Sequence, residues 1–260
     1  MTVIFFGNAG TGGLGYEAGL PRCKELKLDA MEYPFTYGIR MSNSTAKKAG
    51  ALAKQLNIKM SVHAPYYVNL ASIEKAKITA SKKRILMSCE RAHHMGAKYV
   101  VFHPAYYQKY SPEECFKIVA EQIKDMNAKI KKNKWNVRLA PETTGKASQF
   151  GNIDELLKLK KQTGCHLCVD FAHLYARNLG KIDYNEIFKK LKSLNHIHSH
   201  FSGITYGQKG ERSHKLQDKK HFFPLAKAIK KAKPKSITII NESPDVFGDA
   251  VKMKKWFNLL

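Results

Sequence analysis

A chain of 260 residues holds 45 Lys plus Arg against 21 Asp plus Glu, a formal net charge of +24, with 43% hydrophobic and 10% aromatic residues. This is the size of one large domain with a sizeable core, and its apolar runs are too short to span a bilayer, so no membrane partner is expected. The five cysteines form an odd set at irregular spacing and no charged-then-apolar leader opens the chain, so it reads as a cytoplasmic protein in a reducing compartment.

The positive charge favours an anionic partner, because cationic side chains that neutralise phosphates release condensed counterions. Lysines that merely solvate helix faces, as at Lys189-Lys190 and Lys230-Lys231, are the alternative.

Short β-branched or aromatic runs recur down the chain at 3–7, 28–33, 59–65, 98–104, 137–142, 166–173, 196–203 and 236–242. Each is followed by a loop and a Lys/Glu/Leu-rich segment of helical period. Ser111-Pro112-Glu113-Glu114 combines an N-cap serine, a proline at the first helical position and a glutamate that can bond back to the cap. Asn152 with Glu155 repeats that signal, and Gly96 and Gly164 stand where left-handed C-terminal caps are expected. Eight strand–helix units imply parallel strands with crossover helices, and at this length they favour closure into an α/β, single (β/α)₈ TIM barrel over 1–260.

Two motifs carry less. The run from Gly7 to Gly13 lacks the spacing of a dinucleotide fingerprint, so no nucleotide cofactor is expected. Cys165 and Cys168 form a lone CxxC inside an apolar run, a weak pointer to redox or zinc chemistry.

The polar residues at the strand ends are more informative: His63, His103, Glu142, Asp170 with His173, His198 with His200, and Glu242. A (β/α)₈ barrel brings all of them to its C-terminal mouth, where active sites of this fold lie. So many ionisable groups in one funnel are costly to desolvate unless a multivalent metal cluster compensates them. Imidazole and carboxylate donors suit zinc, manganese or iron(II), and the histidine-rich balance leans toward zinc.

The motifs His63-Ala64-Pro65-Tyr66-Tyr67-Val68-Asn69-Leu70, Phe102-His103-Pro104, Pro141-Glu142-Thr143-Thr144-Gly145, Val169-Asp170-Phe171-Ala172-His173, His200-Phe201-Ser202-Gly203 and Asn241-Glu242-Ser243-Pro244-Asp245 run from the third strand to the C-terminus. In them the chain resembles the endonuclease IV family of zinc-dependent apurinic/apyrimidinic endonucleases; the first two strands match only in general character. The resemblance implies His63, His103, Glu142, Asp170, His173, His200 and Glu242 as ligands, with Glu142 bridging two ions and His198 the alternative to His200 one pleat away.

The family also has a carboxylate and a histidine two residues apart after the seventh strand. Here the nearest pair, Glu211 and His214, is three apart, and with His173 it is expected to hold a third zinc. Three zinc ions are implied, with manganese or iron possible at one position.

The resemblance further implies a DNA repair enzyme that binds abasic duplex DNA, probes it with Tyr66 and Asn69, and hydrolyses the 5′ phosphodiester through the metal cluster, with Glu142 as the catalytic carboxylate. Lys146, Gln149, Arg177, Tyr206, Lys209 and Arg212 fall in loops of the same mouth and are the expected further DNA contacts of a monomer. Two other readings remain open here. One is a sugar isomerase or epimerase of the same barrel superfamily, served by Glu142, Asp170, His200 and Glu242; the other is a basic nucleic-acid-binding protein with a vestigial barrel.

Overall fold

The computed structural model describes residues 2–260. Eight parallel strands form the sheet: β1 (Val3–Ala9), β2 (Ala30–Pro34), β3 (Lys59–His63), β4 (Tyr99–Phe102), β6 (Arg138–Pro141), β8 (Cys168–Asp170), β9 (Ile197–Phe201) and β12 (Ser236–Asn241). They follow one another in space in chain order, and β12 returns to pair with β1. A parallel bridge between Glu142 and Cys168 closes the ring between β6 and β8. Each expected strand corresponds to one of these.

The remaining four strands lie in the loops. β5 (Ala105–Tyr106) pairs antiparallel with β7 (Gln149–Phe150), and β10 (Gly203–Gly207) forms a hairpin with β11 (Gly210–Lys215).

The outer layer consists of α1 (Gly15–Glu25), α2 (Asn43–Gln55), α3 (Lys75–Met95), α4 (Pro112–Lys132), α5 (Ile153–Thr163), α6 (Phe171–Arg177), α7 (Tyr184–Lys190), α8 (Lys219–Ala232) and α9 (Gly248–Asn258). In α4, Cys115, Phe116, Val119, Ala120, Ile123, Met126 and Ile130 are buried at helical spacing, while Lys117, Lys124, Lys131 and Lys132 face solvent. Part of the positive charge therefore sits where a helix needs polar cover. No helix among the described residues is long and apolar enough to cross a membrane.

The helix punctuation follows the sequence. Ser111 and Asn152 each form a reciprocal capping box, with Glu114 and Glu155, and Gly96 and Gly164 adopt the left-handed conformation at φ 70° and 74°. One expected strand is shorter than its apolar run. β8 stops at Asp170, and the chain enters α6 at once, so His173 stands on the first turn of a helix rather than at a strand end. The cause is local: the Asp170 carboxylate accepts the His173 amide at 2.6 Å and caps the helix.

Ser111→Ala removes one half of a capping box whose two bonds are 2.8 and 3.2 Å. It is expected to lower unfolding free energy by about 1 kcal/mol in urea titration, whereas no change would show that α4 is held by packing alone.

Candidate metal centre

The barrel ends converge on Glu142, which directly follows β6 and is fully buried. Four imidazoles face its carboxylate. Nε2 of His63 and of His103 lie 3.1 and 3.0 Å from Oε2, and Nδ1 of His200 and of His173 lie 2.9 and 3.5 Å from Oε1. Glu242, just after β12, brings Oε1 to 3.3 Å from His200 Nδ1.

Backbone groups hold some atoms of these side chains and leave others without a partner. His63 Nδ1 lies 2.7 Å from the Ala64 carbonyl, which leaves Nε2 for the centre. His173 Nδ1 lies 3.0 Å from the Thr143 carbonyl, and its Nε2, 3.5 Å from Glu211 Oε2, has no hydrogen-bond partner. Asp170 spends Oδ1 on the α6 cap and leaves Oδ2 equally unpartnered.

Three sets of donor atoms each fall within 4.8 Å of one another: His63, His103 and Glu142; Glu142, Asp170, His200 and Glu242; and His173, Glu211 and His214. Glu142 belongs to two of them. Buried donors left without partners at the meeting point of nitrogen and oxygen ligands are what a divalent ion of the zinc type completes, so the residues fit such a centre.

The third set depends on an irregularity. Side chains three apart on a regular strand point to opposite faces. In the β10–β11 hairpin Ser213 pairs with Thr205 but Glu211 pairs with Tyr206, so Arg212 is an extra residue opposite the break in register. This β-bulge restores parity and puts Glu211 and His214 on one side. Glu211 is then anchored by its amide to the Gly145 carbonyl at 2.9 Å, and His214 Nδ1 lies 2.6 Å from Ser202 Oγ.

Burial opposes charge on every group, but His200 and His103 outweigh it for Glu142 and hold that carboxyl well below the usual range. Likewise His200 holds Glu242, and His173 holds Glu211, at about 2 against the effect of burial. His63 rises to about 9 because Glu142 overcomes its desolvation, and His173 is raised well above its ordinary value by Asp170 and Glu211. Asp170 goes the other way, to about 6, because burial prevails.

The expected DNA contacts divide into two kinds. Tyr66, Tyr206, Lys209 and Arg212 are exposed, Lys146 is partly so, and the Tyr66 ring centroid lies 5.7 Å from that of His63. Three others are committed to the scaffold. Asn69 Oδ1 accepts the Ala71 and Tyr106 amides at 3.1 and 3.3 Å, and Arg177 donates to Thr144 Oγ1 and to the Lys146 and Gln149 carbonyls. Gln149 is buried in β7. Asn69 and Arg177 are thus engaged with backbone, while Gln149, whose Oε1 has no hydrogen-bond partner, is withdrawn from the surface by burial.

His198 does not join the centre at Glu142. It sits lower in the barrel, 2.8 Å from Glu32 Oε2, and with Cys168 and His200 it makes a fourth set of close donors. Cys165 and Cys168 are unbridged and buried, and burial pushes the first to about 11 and the second well above the ordinary thiol range, which removes the reactive thiolate. Sequence reasoning missed Glu32, Thr143 and Ser202. Glu32 had a signal: it is an acid in the middle of an otherwise apolar strand.

Residues 20–257 match the model of the family described as xylose isomerase-like TIM barrel. An uncharacterized protein of Methanocaldococcus jannaschii is 39% identical over 249 residues, covering 91% of this chain and 90% of that protein. A probable endonuclease 4 of Mycoplasmopsis synoviae is 28% identical over 139 residues, covering 52% of this chain and 48% of the relative, so the match spans about half of each. Among solved structures, endonuclease IV from Thermus thermophilus superposes with a TM-score of 0.72 at 20% identity, covering 99% of this chain and 100% of that one. At that identity the likeness bears on the fold alone.

Two outcomes test the centre. A Cβ on Gly145 would lie 2.5 Å from Glu211 Oε2 and 2.6 Å from its Cβ, so Gly145→Ala should displace the carboxylate and lower bound zinc by about one ion per chain; full zinc content by elemental analysis would refute the third set. Because His63 keeps its proton up to about 9 without metal, zinc binding at pH 8 must displace it. A pH-stat titration should then record proton release, with affinity rising as pH climbs toward 9, and a pH-independent affinity would contradict the assigned ligands.

Proposed function

The chain belongs to the xylose isomerase-like TIM barrel family, and from that premise we propose that it is a zinc-dependent DNA endonuclease that hydrolyses the phosphodiester on the 5′ side of abasic sites and leaves a 3′-hydroxyl. The observation that carries this reading is the joining of separate ligand sets through Glu142, with His173, Glu211 and His214 as a further set beside them. His63, His103, Glu142, Asp170, His173, His200, Glu211, His214 and Glu242 hold three divalent ions in this reading, zinc with manganese or iron admissible at one.

Bound there, the ions acidify water and neutralise the charge that develops on the phosphodiester and its leaving oxygen. The protein's own groups do the rest. Glu142 links two ligand sets and fixes their separation, while Asp170 and His173 are kept in place by the α6 cap and the Thr143 carbonyl. No cysteine is available as a nucleophile, since all five are buried and none lies in the three ligand sets at the mouth.

The substrate class rests on charge and on the mouth. A net charge of +24 favours a polyanion, and Lys146, Lys209 and Arg212 are free to meet phosphates in the loops around the centre. Tyr66 and Tyr206 offer aromatic faces to a distorted base stack, and a missing base lowers the cost of distortion. The probable endonucleases 4 among its relatives support DNA as substrate. The reading has the protein act inside the cell as a monomer.

One observation favours a second reading. Glu142, Asp170, His200 and Glu242 alone form a set that a sugar epimerase could use, and a D-tagatose 3-epimerase-like protein superposes with a TM-score of 0.72 at 19% identity, covering 98% of this chain and 96% of that one. The additional histidines and the basic charge weigh against it.

A duplex carrying one synthetic abasic site separates the readings: the zinc-loaded protein should nick it 5′ to the lesion and lose that activity to chelator. Glu142→Gln should cut at least ~10²-fold more slowly while keeping most of the DNA affinity, because binding rests on distributed phosphate contacts. Near-native turnover in the variant, or turnover of a ketose without nicking, would overturn the proposal.

A further inference from the structure

We propose that Glu32 is a positioning residue of this centre: from inside the barrel it fixes which nitrogen of His200 carries the proton, and so which one is offered to the metal. The inference rests on the metal reading above.

Barrel interiors of this fold are filled mainly by bulky apolar side chains. Glu32 lies in β2 after Ala30 and Met31 and is fully buried, where a carboxylate is costly and an apolar residue of similar volume would serve packing better. Its surroundings account for its presence. Oε2 accepts from Ser61 Oγ at 2.7 Å and lies 2.8 Å from His198 Nε2, and Ser61 is its register partner in the β2–β3 ladder. Oε2 is thereby held from β3 beside it and from β9, which is not adjacent to β2 in the sheet.

Oε1 is turned toward His200, 2.9 Å from Nε2. That contact is short but out of line, and both atoms lack any hydrogen-bond partner. Apart from the Cys168 thiol beside the His200 ring, a fully buried ring nitrogen and a fully buried carboxylate oxygen at this distance have each other to satisfy them. The other nitrogen of the same ring, Nδ1, lies 2.9 Å from Glu142 Oε1 and 3.3 Å from Glu242 Oε1. A neutral imidazole offers one lone pair, so a carboxylate that accepts a hydrogen bond from Nε2–H leaves Nδ1 as the ligand atom. Glu32 borders the cavity at the mouth but is itself fully buried, so its influence passes through His200.

The test needs neither DNA nor turnover. Chelator competition with zinc alone measures affinity, and ¹⁵N spectra of the histidine rings in the zinc-loaded protein report which nitrogen of His200 keeps its proton. The wild-type His200 ring should be protonated at Nε2. In Glu32→Gln the amide can donate to Nε2 and so favours the opposite tautomer. The affinity of one ion should fall about 10- to 100-fold, while the ion at His173, Glu211 and His214 stays bound. Native affinity and tautomer in Glu32→Gln, with only a lowered melting temperature, would make Glu32 a packing residue and overturn the proposal. Should Glu32→Gln not fold, Ser61→Ala loosens one of the two holds on Oε2 and must show the same loss at smaller amplitude; unchanged affinity there overturns the proposal equally. A wild-type chain that binds zinc but spares abasic DNA would refute the function above and leave this inference standing.

Discussion

Glu142 is where the architecture and the chemistry of this barrel meet. A carboxylate without solvent is expensive, and this one persists because four imidazoles stand within 3.5 Å of it. The same residue makes the parallel bridge to Cys168 by which the eight-stranded sheet becomes a ring. The geometry of the centre is therefore inherited from barrel closure, and a shift of β6 against β8 would move the carboxylate shared by two ligand sets. Barrel closure thus explains how strand ends contributed by different parts of the chain bring candidate donor atoms within 4.8 Å of one another.

Around that residue, loop structure replaces freedom with bonds. Asp170 divides its two oxygens between a helix cap and the centre, so the turn that ends β8 also aims a donor. The bulge at Arg212 converts a spacing of three into co-facing Glu211 and His214, and Gly145 gives Glu211 the room to dock. Arg177 and Asn69, which sequence reasoning assigned to DNA, tie the loops that carry these parts. Basic and amide groups near a mouth are thus not equivalent: those with backbone carbonyls or amides in reach become scaffold, and those on the hairpin tip remain available to a ligand.

The barrel interior carries a second polar level beneath the first. His198, Glu32, Ser61 and His200 link through short contacts, where apolar layers are usual for the fold. The two levels meet at His200, whose ring nitrogens face Glu32 on one side and Glu142 on the other. Charged groups in a dry interior persist when each has a partner, and this column supplies them in sequence.

What the sequence determined by itself was periodic or local. Alternating apolar runs and amphipathic segments gave eight units, because a strand buried between helices and a helix with one buried stripe each leave a pattern within a few residues. Ser111, Asn152, Gly96 and Gly164 marked helix ends because caps are made by neighbours in the chain. Polar residues at strand ends were legible as a mouth once parallel order was inferred. Tertiary structure alone decided the rest. Whether Glu211 and His214 face one way depended on a register break set by pairing with β10. Whether Arg177 meets phosphate or carbonyl depended on a loop about thirty residues away. The placing of Glu32 against His198, 166 residues distant, depended on closure of the barrel. Such facts are absent from any window of sequence because they arise from strands brought together by closure, where a side chain's partner is fixed by register and not by adjacency.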